Sequence, residues 1–110
     1  MQFLDVPALP AHDVWPGFRA RFVHSPQVTL AFWETDAGAT VPTHSHPQEQ
    51  IVIMQEGTFE LTVAGEPRVM RPGEIAVVPG GVEHSARAIT PCRLLDVFHP
   101  IRDDYRQRFG

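Results

Sequence analysis

The stretch Val41-Pro-Thr-His-Ser-His-Pro-Gln-Glu-Gln50 decides the fold and the chemistry of this 110-residue chain. His44 and His46 are separated by one residue, so in an extended strand both imidazoles point to the same side. Gln50 has the same parity, whereas Glu49 faces the other way. Two imidazoles and an amide on one face predict a metal site, with two surface histidines as the alternative interpretation.

Short apolar segments, rich in β-branched and aromatic residues, surround this stretch and are separated by many of the 8 glycines and 11 prolines. These segments are Val28–Thr35, Gln50–Met54, Thr58–Val63, Ile75–Val78 and Arg93–Phe98. Strands of this length and spacing predict an all-β sandwich or barrel. The tail from Ile101 to Phe109 is the one window with a helical pattern, and the first dozen residues are predicted to form a loosely attached arm.

His84 follows the turn Val78-Pro-Gly-Gly-Val-Glu83 and is distant in sequence from the histidine pair. A closed barrel brings separate strands together, so two neighbouring ligands and one distant ligand can meet at one ion. The other three histidines, His12, His24 and His99, have no such partners, and we expect them to face solvent or to bond locally.

Composition excludes several classes of function. The net charge of −4 argues against nucleic acid or an anionic membrane surface as partner. All nine basic residues are arginine, which excludes lysine Schiff-base chemistry and a Walker-type phosphate loop. Cys92 is the only cysteine, and the N-terminus has neither a basic start nor a long apolar run. We therefore expect a cytoplasmic protein with one domain over residues 1–110 and a core barrel over about 18–100.

Two spaced patterns resemble the motifs of the cupin family. The first pattern has Gly38, five residues, His44-Ser-His46, three residues, Gln50, six residues and Gly57. The second has Gly73, five residues, Pro79-Gly-Gly81, two residues and His84. The resemblance implies an all-β jelly-roll barrel, usually a homodimer, with a metal ion held by His44, His46, Gln50 and His84.

This chain departs from the family pattern at two positions. Gln50 stands where the pattern has glutamate, and Ala88 stands where it has asparagine. A neutral set of three imidazoles and one amide leaves the charge of a divalent metal uncompensated, which favours an anionic substrate; the alternative role for Gln50 is as a neighbour that bonds to a ligand. Such ligands suit Zn, Ni, Fe, Mn or Co and do not separate them.

A narrower resemblance extends over Gly57–Val63 and over the ending Leu95-Asp-Val-Phe-His-Pro-Ile-Arg-Asp-Asp-Tyr105. These segments are similar to small single-domain cupins of the pectin-degradation (KdgF) type. That type converts ring-form 4,5-unsaturated uronates, released from pectin or alginate, to linear keto acids. The resemblance implies that its Asp-x-Phe-x-x-x-Arg substrate site falls on Asp96, Phe98 and Arg102.

Each of these residues has a chemical role and an alternative. Asp96 lies between two apolar residues, so we expect desolvation to raise its pKa for proton transfer, unless it serves a structural hydrogen bond or ion pair. Arg102 is predicted to grip a carboxylate bidentately or to form a salt bridge with one of the two aspartates that follow it. Phe98 would form an apolar wall or belong to the core. Met54 has the parity of the ligands and would contact substrate or fill the core.

Three classes of function are consistent with the sequence. The first is ketonisation of an unsaturated sugar acid, with Asp96 and Arg102 as catalytic residues. The second is a metal-dependent dioxygenase, and the third is a non-catalytic cupin that binds a small anion or a metal. Ile51 and Ile53 have the opposite parity from the ligands, so we expect them to face outward, against a second sheet or a partner subunit.

Overall fold

Ten strands and one short helix make up the computed structural model, which describes residues 1–110. A 3₁₀ helix (Val6–Ala8) precedes the strands. The elements are β1 (His12–Trp15), β2 (Phe18–His24), β3 (Thr29–Thr35), β4 (Thr40–His44), β5 (Glu49–Glu56), β6 (Phe59–Val63), β7 (Glu66–Met70), β8 (Ile75–Val78), β9 (His84–Ala88), β10 (Cys92–His99) and α1 (Asp103–Phe109).

The strands form two antiparallel sheets. One sheet has six strands in the order β1-β2-β3-β10-β5-β8, and the other has four in the order β4-β9-β6-β7. The crossovers between non-consecutive strands produce a jelly roll. The predicted all-β fold is therefore confirmed, and no helix is long and apolar enough to cross a membrane.

The core lies between the inward faces of the two sheets. Residues of β3 alternate between buried and partly exposed along its whole length, as a strand with one inward face requires. Phe18 of the larger sheet contacts Trp33 edge-on, with 5.9 Å between ring centroids, and reaches Phe59 of the smaller sheet at 6.3 Å. Such aromatic pairs add about 0.5–1.5 kcal/mol beyond the area they bury, so this cluster joins the sheets.

Five of the ten strands coincide with the segments predicted from sequence, namely β3, β5, β6, β8 and β10. The sequence analysis missed the other five. β7 contains Pro67 and exposes four of its five residues, because it is the outer strand of the smaller sheet and buries little on either face. Proline is tolerated in such an edge strand, so its presence there does not end the strand.

The C-terminal tail forms α1, which packs against β2. Asp103 and Asp104 occupy the first turn and two arginines the last, the charge order that the helix dipole favours. Phe109 stacks on Phe22 with centroids 5.4 Å apart, and Tyr105 contacts the same ring at 5.1 Å. These contacts hold α1 beside the end of the barrel where the histidines lie.

Candidate active site

Three histidines, two from strand ends and one from a turn, converge at one end of the barrel. His44 ends β4 and pairs in register with His84, which begins β9, while His46 lies in the turn between β4 and β5. One ring nitrogen from each lies within 4.8 Å of the others. The convergence expected from sequence is present, although the turn, rather than a shared strand face, brings His46 to the other two.

All three imidazoles are oriented by the main chain. Each Nδ1 lies within hydrogen-bond distance of a carbonyl oxygen two residues away: Pro42 for His44 (2.8 Å), Gln48 for His46 (3.1 Å) and Val82 for His84 (2.9 Å). A carbonyl only accepts, so each Nδ1 carries the proton and each Nε2 presents a lone pair. A hydrogen bond of this kind on the far nitrogen fixes the tautomer that binds a metal.

Gln50 completes a donor set. Its Oε1 lies 3.0 Å from Nε2 of His46, so two lone pairs face each other unless a cation lies between them or the amide turns. Ligands about 2.1 Å from one ion lie roughly 3 Å apart when they are adjacent, which matches this separation. Nε2 of His84 is buried and has no partner. These residues therefore fit a divalent metal ion.

Burial keeps the two inner imidazoles neutral. It lowers the pKa of His46 to about 4, and the positive charge of Arg102 contributes to the same effect. Burial also lowers the pKa of His84 below its ordinary value. Only the neutral ring can ligate a metal, so both side chains are ready to bind at neutral pH.

A partly open cavity lies beside the histidines. Its polar lining includes His44, His84, Gln50, Asp96 and Arg102. Its apolar lining is Trp15, Phe18, Trp33, Val41, Val52, Phe59, Leu61, Ala86, Leu94, Phe98 and Tyr105. The structure thus brings most of the predicted site residues into one chamber.

Met54 does not line this chamber. Its side chain is only 1% exposed and belongs to the hydrophobic core. It shares the inward parity of Gln50, but it lies four residues further along β5, opposite Leu94 of β10. Residues of the same parity face the same side of the sheet, but they can lie at different depths in the barrel. The structure therefore favours the alternative in which Met54 fills the core.

Asp96 is a buried carboxyl on β10. The indole Nε1 of Trp33 donates a 2.9 Å hydrogen bond to its Oδ2, whereas Oδ1 has no partner. Burial raises the pKa of Asp96 to about 7. The side chains of Gln50 and Trp33 and the charge of Arg102 oppose this rise without cancelling it. The result is a carboxyl group that gains and loses a proton near neutral pH.

Arg102 forms the salt bridge with Asp104 that the sequence analysis gave as the alternative to gripping a carboxylate. Its Nε and one terminal nitrogen donate to Asp104, at 2.9 and 2.7 Å, so one edge of the guanidinium is already engaged. The central carbon lies 3.8 Å from the ring centroid of Tyr105 and 4.8 Å from that of Phe98. The remaining nitrogen, Nη1, is buried without a partner. Arg102 therefore forms a salt bridge and still has one nitrogen that is free to donate a hydrogen bond.

The sequence analysis missed several residues that shape this chamber. Trp15 of β1 lies beside His44, with ring centroids 5.9 Å apart, and Tyr105 of α1 underlies Arg102. The only sequence signal for the role of Tyr105 was its position, three residues after Arg102.

The three histidines predicted to lie outside the site are outside it. His24 bonds to Thr29 (2.9 Å) and His99 is exposed, whereas His12 packs against the rings of Phe22 and Phe109 instead of facing solvent or bonding locally.

A family model described as "Cupin domain" matches residues 31–98. The chain belongs to the cupin family. It is similar to KdgF from Halomonas sp., with 32% identity, 94% of this chain and 98% of that chain covered, and a TM-score of 0.87. It is also similar to an RmlC-like cupin from Shewanella frigidimarina, with 26% identity, 96% of each chain covered and a TM-score of 0.89.

Among curated proteins, an uncharacterized protein of Streptomyces coelicolor is 28% identical over 85 residues, covering 76% of this chain and 81% of that protein. The resemblance drawn from the two motifs is thereby confirmed: this is a small cupin similar to KdgF.

Proposed function

We propose that this cupin is a metal-dependent enzyme that opens 4,5-unsaturated uronates, released from pectin or alginate, to linear keto acids. The observation that carries the proposal is one chamber lined by three of the four metal donors, by a carboxyl with a pKa of about 7 and by a buried arginine that has a donor without a partner. Similarity to KdgF from Halomonas sp. supports the same substrate class.

The proposed reaction is an isomerisation without change of oxidation state. The bond between C1 and the ring oxygen breaks, the C1 hydroxyl loses its proton, and an aldehyde forms at C1. The former ring oxygen gains a proton and remains on C5 as an enol, which becomes a ketone when C4 gains a proton and the enol oxygen loses one. Atoms and electrons balance without an oxidant, so the chain needs to supply only binding, orientation and proton transfer.

Asp96 is proposed to move the proton. Its pKa of about 7 means that both protonation states are populated near neutral pH, the condition under which one group can accept and donate. Its unpartnered Oδ1 belongs to a residue of the cavity wall, where a substrate would lie.

Arg102 is proposed to bind the substrate carboxylate through Nη1. Phe98 and Tyr105 hold the guanidinium plane, and Asp104 occupies its other edge, so a single direction of approach is left. The apolar wall around these groups excludes water and strengthens the charge interaction. A divalent metal held by the three histidines and Gln50 would supply Lewis-acid polarisation of a substrate oxygen.

The test follows the ultraviolet absorbance of the conjugated double bond in 4,5-unsaturated galacturonate. Metal-loaded protein should accelerate the loss of absorbance, and a chelator should abolish the acceleration. Asp96→Asn should lose turnover while it retains metal. Absence of acceleration by the metal-loaded protein would overturn the proposal, and oxygen consumption during turnover would assign a dioxygenase instead.

A further inference from the structure

Trp33 and Asp96 lie on the inward faces of two neighbouring strands, β3 and β10. The register places Asp96 opposite Ala31 and places Trp33 two residues further along β3, so the two side chains are diagonal neighbours on one face of the sheet. Diagonal neighbours are within reach of each other when one of them is a large aromatic ring. Ala31 has only a methyl group, which leaves room for the indole. The 2.9 Å bond from Nε1 of Trp33 to Oδ2 of Asp96 is the result.

The indole of Trp33 is held in place by its surroundings. Its strand, β3, is paired with β2 on one edge and with β10 on the other. Trp33 is buried, and its ring contacts Phe18 and Phe22 edge-on, with 5.9 and 6.3 Å between ring centroids. An indole N–H donates a hydrogen bond and cannot accept one. Trp33 therefore presents a fixed donor to one oxygen of Asp96.

The carboxyl of Asp96 would otherwise have two equivalent orientations. The terminal torsion of an aspartate is broad and roughly two-fold, so rotation exchanges the two oxygens. The bond from Trp33 distinguishes them, because Oδ2 accepts from the indole while Oδ1 has no partner. Asp96 also lines the chamber that contains His44 and Arg102. One oxygen is thus held by Trp33, and the other is left for a ligand in the chamber.

We propose that Trp33 is a positioning residue, which holds the Asp96 carboxyl so that Oδ1 alone meets the substrate and delivers the proton to one face of C4. This inference rests on the proposed ketonisation and adds to it the reacting oxygen and the stereochemistry. In the step, the Oδ1–H bond breaks, the electron pair of the C4–C5 double bond forms the C4–H bond, and the enol oxygen releases its proton to water as C5 becomes a ketone. Water then returns a proton to Oδ1.

Steady-state kinetics of the metal-loaded protein provide the first test. Trp33→Phe keeps an aromatic ring at the position and removes the donor. It should lower kcat for 4,5-unsaturated galacturonate about 10- to 100-fold, as a misplaced reacting group does, and change KM less than about twofold. Met70→Ala is the control for lost packing, because Met70 is buried in the core and does not line the chamber. This control should lower stability and keep kcat.

The stereochemistry at C4 separates positioning from a general structural role. In heavy water the product gains a deuterium at C4, next to the stereocentre at C3, so NMR distinguishes the two possible products. After correction for the uncatalysed reaction, the wild-type protein should give one of them, and Trp33→Phe should give a mixture because its carboxyl can rotate. A single product from folded Trp33→Phe, or a mixture from the wild-type protein, would overturn the inference.

The hydrogen bond itself can be measured without turnover. The chain has two tryptophans, so heteronuclear NMR of the zinc-loaded protein should show two indole N–H signals, which Trp33→Phe assigns. Asp96→Leu removes the acceptor and should move the Trp33 signal upfield, whereas Asp96→Asn keeps an acceptor and should preserve most of its position. An unchanged signal in Asp96→Leu would overturn the inference whatever the activity.

The two proposals fail in different ways. A wild-type protein that retains the Trp33 bond but does not act on the uronate would overturn the proposed function, and the catalytic role of Trp33 with it. An active wild-type protein combined with an unchanged kcat in Trp33→Phe would overturn this inference alone.

Discussion

Replacing Asp96 with asparagine in the metal-free protein should increase stability, and the gain should grow with pH. Asparagine keeps an oxygen that accepts from Trp33, so the 2.9 Å hydrogen bond survives the change. What the substitution removes is the cost of ionising a carboxyl that is only 5% exposed.

The pKa shift of Asp96 determines the size of the stability gain and the pH range over which the gain grows. The pKa of Asp96 is raised from 3.8 to about 7, mainly by burial. Between these values the folded protein retains a proton that the unfolded chain releases, so stability is lost as pH rises. A shift of about 3 units corresponds to about 4 kcal/mol, fully present as a penalty above pH 7 and absent below about pH 4.

Urea unfolding with chelator, followed by tryptophan fluorescence, measures the effect. The free-energy gain from Asp96→Asn should be about 3 kcal/mol larger at pH 8 than at pH 4.5. Asp103→Asn, at an exposed position in α1, controls for the loss of one negative charge. An equal gain at both pH values would refute the reasoning, because it would mean that Asp96 titrates as an ordinary carboxyl.

Other changes test the metal, the substrate contact and the core. His44→Ala should abolish binding of one zinc ion in calorimetry, whereas His12→Ala should bind normally; equal binding by both variants would exclude the site. Arg102→Lys should raise KM for the uronate at least tenfold with a smaller change in kcat, because lysine cannot keep both bonds to Asp104 and the stacking on the rings. An unchanged KM would remove Arg102 from substrate binding. Phe59→Ala should lower the free energy of unfolding by about 3–5 kcal/mol in denaturant titration, and a loss below about 1 kcal/mol would mean that the inter-sheet cluster is loosely packed.

The strands that were predicted from sequence carry the longest continuous runs of β-branched, aromatic and other apolar residues. In β6, Phe59 and Leu61 are buried and the residues between them are partly exposed, a pattern visible without coordinates. Four of the missed strands, β1, β4, β7 and β9, have five residues or fewer, whereas β2 has seven and was missed although it places Phe18 and Ala20 in the core. Short strands depend on a partner strand for much of their stabilisation. The partner is determined by the topology, which no local pattern contains.

The candidate site was also predicted only in part from the sequence. The spacing of two motifs predicted which residues would approach a metal, since a family's spacing already encodes the turn that carries His46. The engagement of Arg102 with Asp104 was one of two alternatives, because a side chain of this length can reach several partners. The roles of Trp15 and Tyr105 depend on β1 and α1 reaching the same end of the barrel, which is a tertiary property.

The anchoring of each imidazole by a carbonyl two residues away has a consequence for divergence and for engineering. Three short backbone segments supply the hydrogen bonds that orient the imidazoles, and none of those bonds comes from a side chain of the cavity wall. Residues such as Trp15 and Tyr105 can therefore be exchanged to admit a differently shaped substrate without rebuilding the metal centre. In this barrel, substrate selectivity and metal binding can be altered one at a time.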